Sequence, residues 1–176
     1  MKALFSTLLT PFFLMSQMAL AAPHPLTGSS IINKASNSMA FTQLGFSLDS
    51  IPENWNYTRS TESTTPVLEI GNNDQTLLSF RLETVTAKTK LETYVRQHLR
   101  DYNQYGFEVM GLQSHNKSAT PSVIVDLRQK NNSSRSRQVF FHKDDKLIIA
   151  TCADTQQRFD QTLNTCNRIL GTFTWR

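Results

Sequence analysis

Apolar and polar residues alternate most regularly over residues 76–85, where Leu78, Phe80, Leu82 and Thr84 fall on one face and Leu77, Ser79, Arg81 and Glu83 on the other. That period of two predicts a half-buried strand. Residues 137–142 and 146–152 read as the two arms of a hairpin. Val139, Phe140 and Phe141 on one arm and Leu147, Ile148 and Ile149 on the other suit a pleated, mostly buried surface, and polar Lys143, Asp144 and Asp145 make the turn between them. From Asp154 the period lengthens. Phe159, Leu163, Cys166 and Leu170 recur at spacings of four, three and four, one stripe of an amphipathic helix ending near Leu170. Asp154 or Thr155 is placed to cap its start, and Gly171 stands where a helix end favours positive φ.

The rest of the chain fills in around these elements. Phe46 and Leu48 alternate in a first strand over 41–49, a turn at 51–55 leads to a buried or half-buried Trp55, and 58–65 is a Thr- and Ser-rich loop or irregular edge. Residues 67–71 are a strand closed by Asn72, Asn73 and Asp74. Leu91, Val95, His98 or Leu99, and Tyr102 predict a long helix over 88–105 with Gly106 at its C-terminal cap. Strand character returns at 107–113 and 122–129, and the Asn-Ser run at 131–134 is an exposed connection. Phe173 and Trp175 form a short extended end. Strand runs with helices inserted, and no internal repeat, predict an α+β domain in which an antiparallel sheet is covered by helices.

The first 21 residues change the compartment. Lys2, an apolar run from Leu4 to Met15 and the small-residue exit at Ala19, Leu20 and Ala21 form a secretory leader, too short for a membrane span. The expected organisation is a leader at 1–21, a flexible N-terminal arm at 22–40 and one domain at 41–176, periplasmic or secreted. Removing the leader takes one lysine from a chain of net charge +4, leaving +3, too mild an excess for a nucleic-acid binder. No later apolar run is long enough to span a bilayer.

Candidate chemistry is sparse. There is no Gly-rich phosphate loop, no Gly-x-Ser-x-Gly elbow and no His-Glu-x-x-His pair, so no cofactor is expected. His98 falls on or beside an apolar helical stripe and reads as a structural histidine. His115 and His142 with Asp144 or Asp145 are the metal-ligand alternative, although the acidic pair reads more simply as a turn. Three matches to the glycosylation pattern, at Asn56, Asn116 and Asn132, are accidental if the leader is bacterial. Arg128, Lys130, Arg135 and Arg137 bracket the 131–134 connection; if their strands pair, they gather at one rim as a contact for an acidic protein or an anionic envelope component, or as an ordinary solvated end.

Cys152 and Cys166 are the only cysteines, and an oxidising compartment favours one intrachain disulfide. A helix begun at Thr155 would carry Cys166 about 16 Å along its axis, beyond the reach of a bridge. The bond therefore requires residues 153–157 to run extended so that the helix returns to the sheet. Two buried free thiols are the alternative.

The opening Gly45-Phe46-Ser47-Leu48-Asp49-Ser50-Ile51-Pro52-Glu53-Asn54-Trp55 and the closing Leu170-Gly171-Thr172-Phe173-Thr174-Trp175 resemble the Mog1/PsbP-like superfamily, whose members include DcrB-like bacterial envelope proteins. The resemblance covers about 41–175 and implies an α/β/α sandwich; this sequence departs from the anchored bacterial members in having no lipid-attachment cysteine. It also implies a non-enzymatic binding or accessory protein acting through protein-protein contact. A hydrolase or metal-dependent enzyme with its site dispersed over loops is the alternative.

Overall fold

The computed structural model describes residues 38–41, 44–49, 51–59, 68–72, 75–116, 120–131 and 133–176. The leader and most of the arm, with the loop over 60–65, lie outside the described residues. The described chain starts in strand β1 (Ser38–Phe41), so residues 38–40, read as the end of the arm, are strand.

A seven-stranded antiparallel sheet forms the centre. Its members are β3 (Asn56–Arg59), β4 (Leu68–Asn72), β5 (Gln75–Thr84), β6 (Phe107–His115), β7 (Ser122–Gln129), β8 (Ser134–Lys143) and β9 (Lys146–Thr155). They lie side by side in the order β3-β4-β5-β9-β8-β7-β6. The hairpin read from sequence is the middle of this sheet and runs further than expected, pairing from Ser134↔Thr155 to Lys143↔Lys146. Asp144 takes φ 55° in its turn, a left-handed conformation that Asp tolerates better than most residues. Both faces of the pair are buried. Val139, Phe141, Ile148, Ala150 and Cys152 enter one apolar cluster, whereas Phe140, Leu147 and Ile149 enter another.

Each face acquires its own cover. Helix α1 (Leu91–Leu99) presses Val95 into the cluster around Val123, Val125, Leu127 and Phe140. The regular helix is shorter than the periodicity suggests: turns carry the chain from Arg100 to Gly106, whose φ of 83° releases it into β6. On the opposite face, α2 (Phe159–Leu170) packs Cys166, Ile169 and Leu170 against Leu78, Phe80, Ile148 and Cys152. Apolar partners meet in register there, Leu78 opposite Cys152, Phe80 opposite Ala150 and Leu82 opposite Ile148.

Two helix-end expectations are corrected. Neither Asp154 nor Thr155 caps α2, because β9 continues through both and the helix opens at Arg158 with no side-chain cap. Gly171 takes φ −64°, not a positive value. Its constraint is space: a Cβ there would lie 3.1 Å from the Asn167 carbonyl oxygen, where the chain turns tightly into Thr172 and Phe173.

A second, three-stranded sheet completes the α2 side. Residues 41–49 are two strands rather than one, β1 and β2 (Phe46–Asp49), folded about Gly45 at φ 78°, and β10 (Thr174–Trp175) pairs with β2. The opening and closing phrases therefore lie side by side. Phe173 stacks on Phe141 at 4.0 Å and on Phe46 at 5.2 Å between ring centroids, and Trp55 is buried in the same cluster. The result is an α+β architecture, a mostly antiparallel sheet with α1 on one face and α2 on the other.

Because β9 stays extended to Thr155 and α2 begins at Phe159, Cys166 returns to the sheet and bonds Cys152 with the Cα atoms 6.2 Å apart. Of the span 153–157 expected to run extended, 153–155 does so and 156–157 turn into the helix. Reduction should lower stability by about 3 kcal/mol for a loop of this size, read as a lower urea midpoint with a slope that does not fall, since the freed denatured chain exposes no less surface. Uptake of alkylating reagent by the denatured, unreduced protein would show that the bond does not form in solution.

Candidate functional site

The four cations singled out from sequence do meet near the β7–β8 connection, where Arg128 pairs with Arg135 in register and Arg137 with Asp126. Each also has a partner within the chain. Arg137 grips Asp126 through Nε at 2.7 Å and Nη2 at 2.9 Å, and those hydrogen bonds hold the guanidinium charged against the effect of burial. Arg135 donates to Asp160 at 3.0 Å and lies 4.7 Å over the Phe159 ring, so it fastens the start of α2 to the sheet. Arg128 meets Glu108 of β6 at 2.6 Å, and Lys130 donates to the Asn103 carbonyl at 3.0 Å. A carboxylate at that distance cancels most of a cation's outward field. Glu108 and Asp160 come from β6 and α2, 20 and 25 residues from their arginines, whereas Asp126, two residues before Arg128, pairs across the hairpin with Arg137.

His98 serves packing. His98 stacks with Tyr94 and lies edge-on to Phe140, and its Nε2 is 3.0 Å from the Tyr102 hydroxyl. Burial, helped by the nearby Arg81 guanidinium and opposed by Glu83, holds its pKa below the usual imidazole range. The Tyr94 hydroxyl donates to Glu83; burial first and that carboxylate second push the phenol pKa up. His142 sits on β8 and His115 at the far end of β6, and Asp144 and Asp145 occupy the β8–β9 turn. Among the described residues, no three His, Cys, Asp or Glu side chains converge on one point.

Two features remain that could recognise something outside the chain. One is β6, the last strand of the large sheet, which among the described residues pairs with β7 on one side only. The register shifts between Val109 and Gly111, leaving Met110 as an extra residue. A bulge of this kind re-aims side chains, and Val109 and Met110 are 43% and 52% exposed, with Tyr105 just before the strand at 73%. Edge strands are blunted by lysine, proline or bulges. Here the bulge at Met110 is the one such device: the strand holds no lysine or proline, and its one acid, Glu108, is held by Arg128. The strand was legible from sequence; its place at the edge was not, because strand order is a tertiary property.

The other is a cleft of about 340 Å³ beside α2, between the Pro52–Trp55 turn, the ends of β4 and β5 at Asn72 and Gln75, and the exposed flank of the helix. Asp154 forms its inner wall. Its carboxylate accepts hydrogen bonds from Thr162 Oγ1 at 2.6 Å, the Thr155 N–H at 2.7 Å, Arg158 at 2.8 Å and Gln75 at 3.3 Å. Burial alone would raise this pKa, but Thr162, the Thr155 amide and Arg158 together outweigh it and hold the group below the ordinary carboxylate range. No described helix is long and apolar enough to cross a membrane.

A lowered folded-state pKa makes the Asp154 contribution fully present above the ordinary carboxylate value of about 4, and loses it as pH falls through the lower value. Asp154→Asn should cost about 1–3 kcal/mol at neutral pH, and the gap to wild type should narrow only below pH of about 4. A gap that stays constant to lower pH, measured by urea unfolding, would remove the charge from this account.

No family model matches the sequence, and no curated protein sequence matches it significantly. Among solved structures the chain is similar to cyanobacterial PsbP (CyanoP) from Synechocystis sp. PCC 6803, at 14% identity and a TM-score of 0.65 over 86% of this chain and 99% of that one. It is also similar to LpqN, involved in cell envelope biogenesis of Mycobacterium tuberculosis, at 11% identity and a TM-score of 0.55 over 80% of this chain and 84% of that one. At such identities the likeness is one of fold. The chain has the Mog1/PsbP-like α+β fold that its opening and closing phrases resemble.

Proposed function

We propose that this chain is an extracytoplasmic accessory protein that works by binding another protein along β6 and performs no chemistry of its own. The leader-like first 21 residues and a disulfide support the compartment, since such bonds persist where the surroundings are oxidising. The fold shared with LpqN, itself involved in cell envelope biogenesis, is compatible with an envelope role.

The single observation that carries the reading is the open edge. A nine-residue strand paired on one side offers a row of backbone donors and acceptors to an extended segment of a partner, and exposed Val109 and Met110 supply apolar contact beside it. Three of the four cations at the β7–β8 connection are ion-paired within the chain and Lys130 is hydrogen-bonded to the Asn103 carbonyl, which favours the edge over that rim as the place of contact.

A photo-crosslinking residue at Met110 or Gln113 should give a discrete protein adduct in cells of the source organism, and one at Gln97 on α1 should not. Replacing Val109 and Tyr105 with lysine should abolish the adduct at Met110 with a stability change of about 0.5 kcal/mol or less, since both side chains are exposed. Adducts of equal yield at Gln97, or none along β6, would overturn the assignment.

A further inference from the structure

The passage from α1 into β6 is pinned to the sheet by one chain of hydrogen bonds. Past Leu99 the backbone leaves the helix, and the turns over 100–106 deliver it to Phe107, whose N–H donates to the Tyr102 carbonyl at 3.0 Å. The Tyr102 and Phe107 rings are 5.9 Å apart between centroids. The start of β6 therefore sits where Tyr102 sits. The Tyr102 hydroxyl is held from two sides: Nε2 of Gln138, buried on β8 in the middle of the sheet, donates to it at 3.1 Å, and Nε2 of His98 lies 3.0 Å away. All three groups are satisfied when Gln138 donates to the Tyr102 oxygen and the Tyr102 proton goes to His98, which is then neutral with its hydrogen on Nδ1.

A proton added to His98 reverses the first link. Nε2 must then donate, the Tyr102 oxygen receives from both neighbours, and its own hydrogen is left with the Gln138 oxygen at 3.5 Å, the limit of a hydrogen bond. The surroundings do not favour the charge. The ring stacks on Tyr94 and stands edge-on to Phe140, which is fully buried. Glu83 of β5 is engaged by the Tyr94 hydroxyl and by Arg81 at 2.7 Å, and the Arg81 guanidinium repels an imidazolium. Val123 and Val125 of β7 and Leu147 and Ile149 of β9 bring no charge, and His142, two positions past Phe140 on β8, stands opposite Leu147.

We propose that His98 is an acid-sensitive latch on the start of β6: neutral, it holds Tyr102 and the 100–106 turns against the sheet, and protonated, it releases them. That the latch governs recognition rests on the reading of β6 as the contact strand; the latch itself does not. Released, the imidazole takes up its proton at the ordinary value of about 6.5. Latched, burial first and Arg81 second hold it lower. The latch is therefore indifferent to pH above about 6.5, weakens by at most about tenfold per unit below it, the limit for one proton, and levels off beneath the latched value.

Amide exchange of the mature protein without any partner, corrected for the intrinsic effect of pH, tests this. Protection of the Tyr102 and Phe107 amides should be constant down to about pH 6.5 and then fall by up to about tenfold per unit. The Tyr94 amide, bonded to the Lys90 carbonyl at the start of α1, should show no such step. Ring ¹⁵N shifts should report the Nδ1–H form of His98 at neutral pH and its titration where the step levels off. His98→Gln, whose carboxamide can accept from Tyr102 without titrating, should abolish the step, and His142→Gln should leave it intact. Tyr102→Phe, which removes only the hydroxyl, should bring protection at Phe107 at neutral pH toward its acid value. No step at Phe107, an equal step at Tyr94, or a step that survives in His98→Gln would overturn the inference. With the partner present, the adduct at Met110 should fall over the same window in wild type and not in His98→Gln. A step at Phe107 with no adduct at Met110 at any pH would support the latch and overturn the contact reading instead.

Discussion

Burial of the β8–β9 hairpin on both faces is the constraint from which the rest of the structure follows. A strand with one wet face needs one cover, but Phe140 and Phe141 point in opposite directions and are both buried, as are Ile148 and Ile149. Two covers are therefore required, and α1 and α2 supply them. The second is tied down more heavily. From β9, Cys152 bonds Cys166 and Asp154 gathers Thr162 and Arg158, so two successive inward positions of one strand fasten successive turns of the same helix. Arg135 and Arg137 on β8 add contacts to Asp160 and Asn167.

That arrangement explains which parts of the molecule were readable from sequence. Elements whose pattern is set by burial, the alternation of β5, the hairpin and the stripe on α2, declare themselves because each residue's face is decided locally. The exit from α1 did not, since Tyr102 continues the helical spacing while the backbone has already left for turns that bring its ring to Gln138 and Phe107. The split of 41–49 into two strands was hidden as well: Phe41, Phe46 and Leu48 are all apolar, and only Gly45 marks the turn. The disulfide was legible as a pair but not as a geometry, because it depended on how far β9 persisted.

The candidate surfaces were harder still. The basic residues at 128–137 stood out because cations close in sequence are conspicuous, whereas Glu108 and Asp160 lie well away along the chain and the pairing of nearby Asp126 with Arg137 depends on strand register. The β6 edge and the α2 cleft arise only when the strands are ordered and the helix is docked. Both lie at the periphery of a centre held by apolar contact, a covalent bond and a buried carboxylate.

Amide hydrogen exchange, with and without the partner captured at Met110, tests this most directly. For the protein alone, the amides of β8, β9 and α2 should exchange only through the largest opening free energies and those of β6 through the smallest of the large sheet. Adding the partner should slow exchange along Phe107–His115 and leave the α1 amides unchanged. Protection gained on α1 but not on β6 would contradict the account.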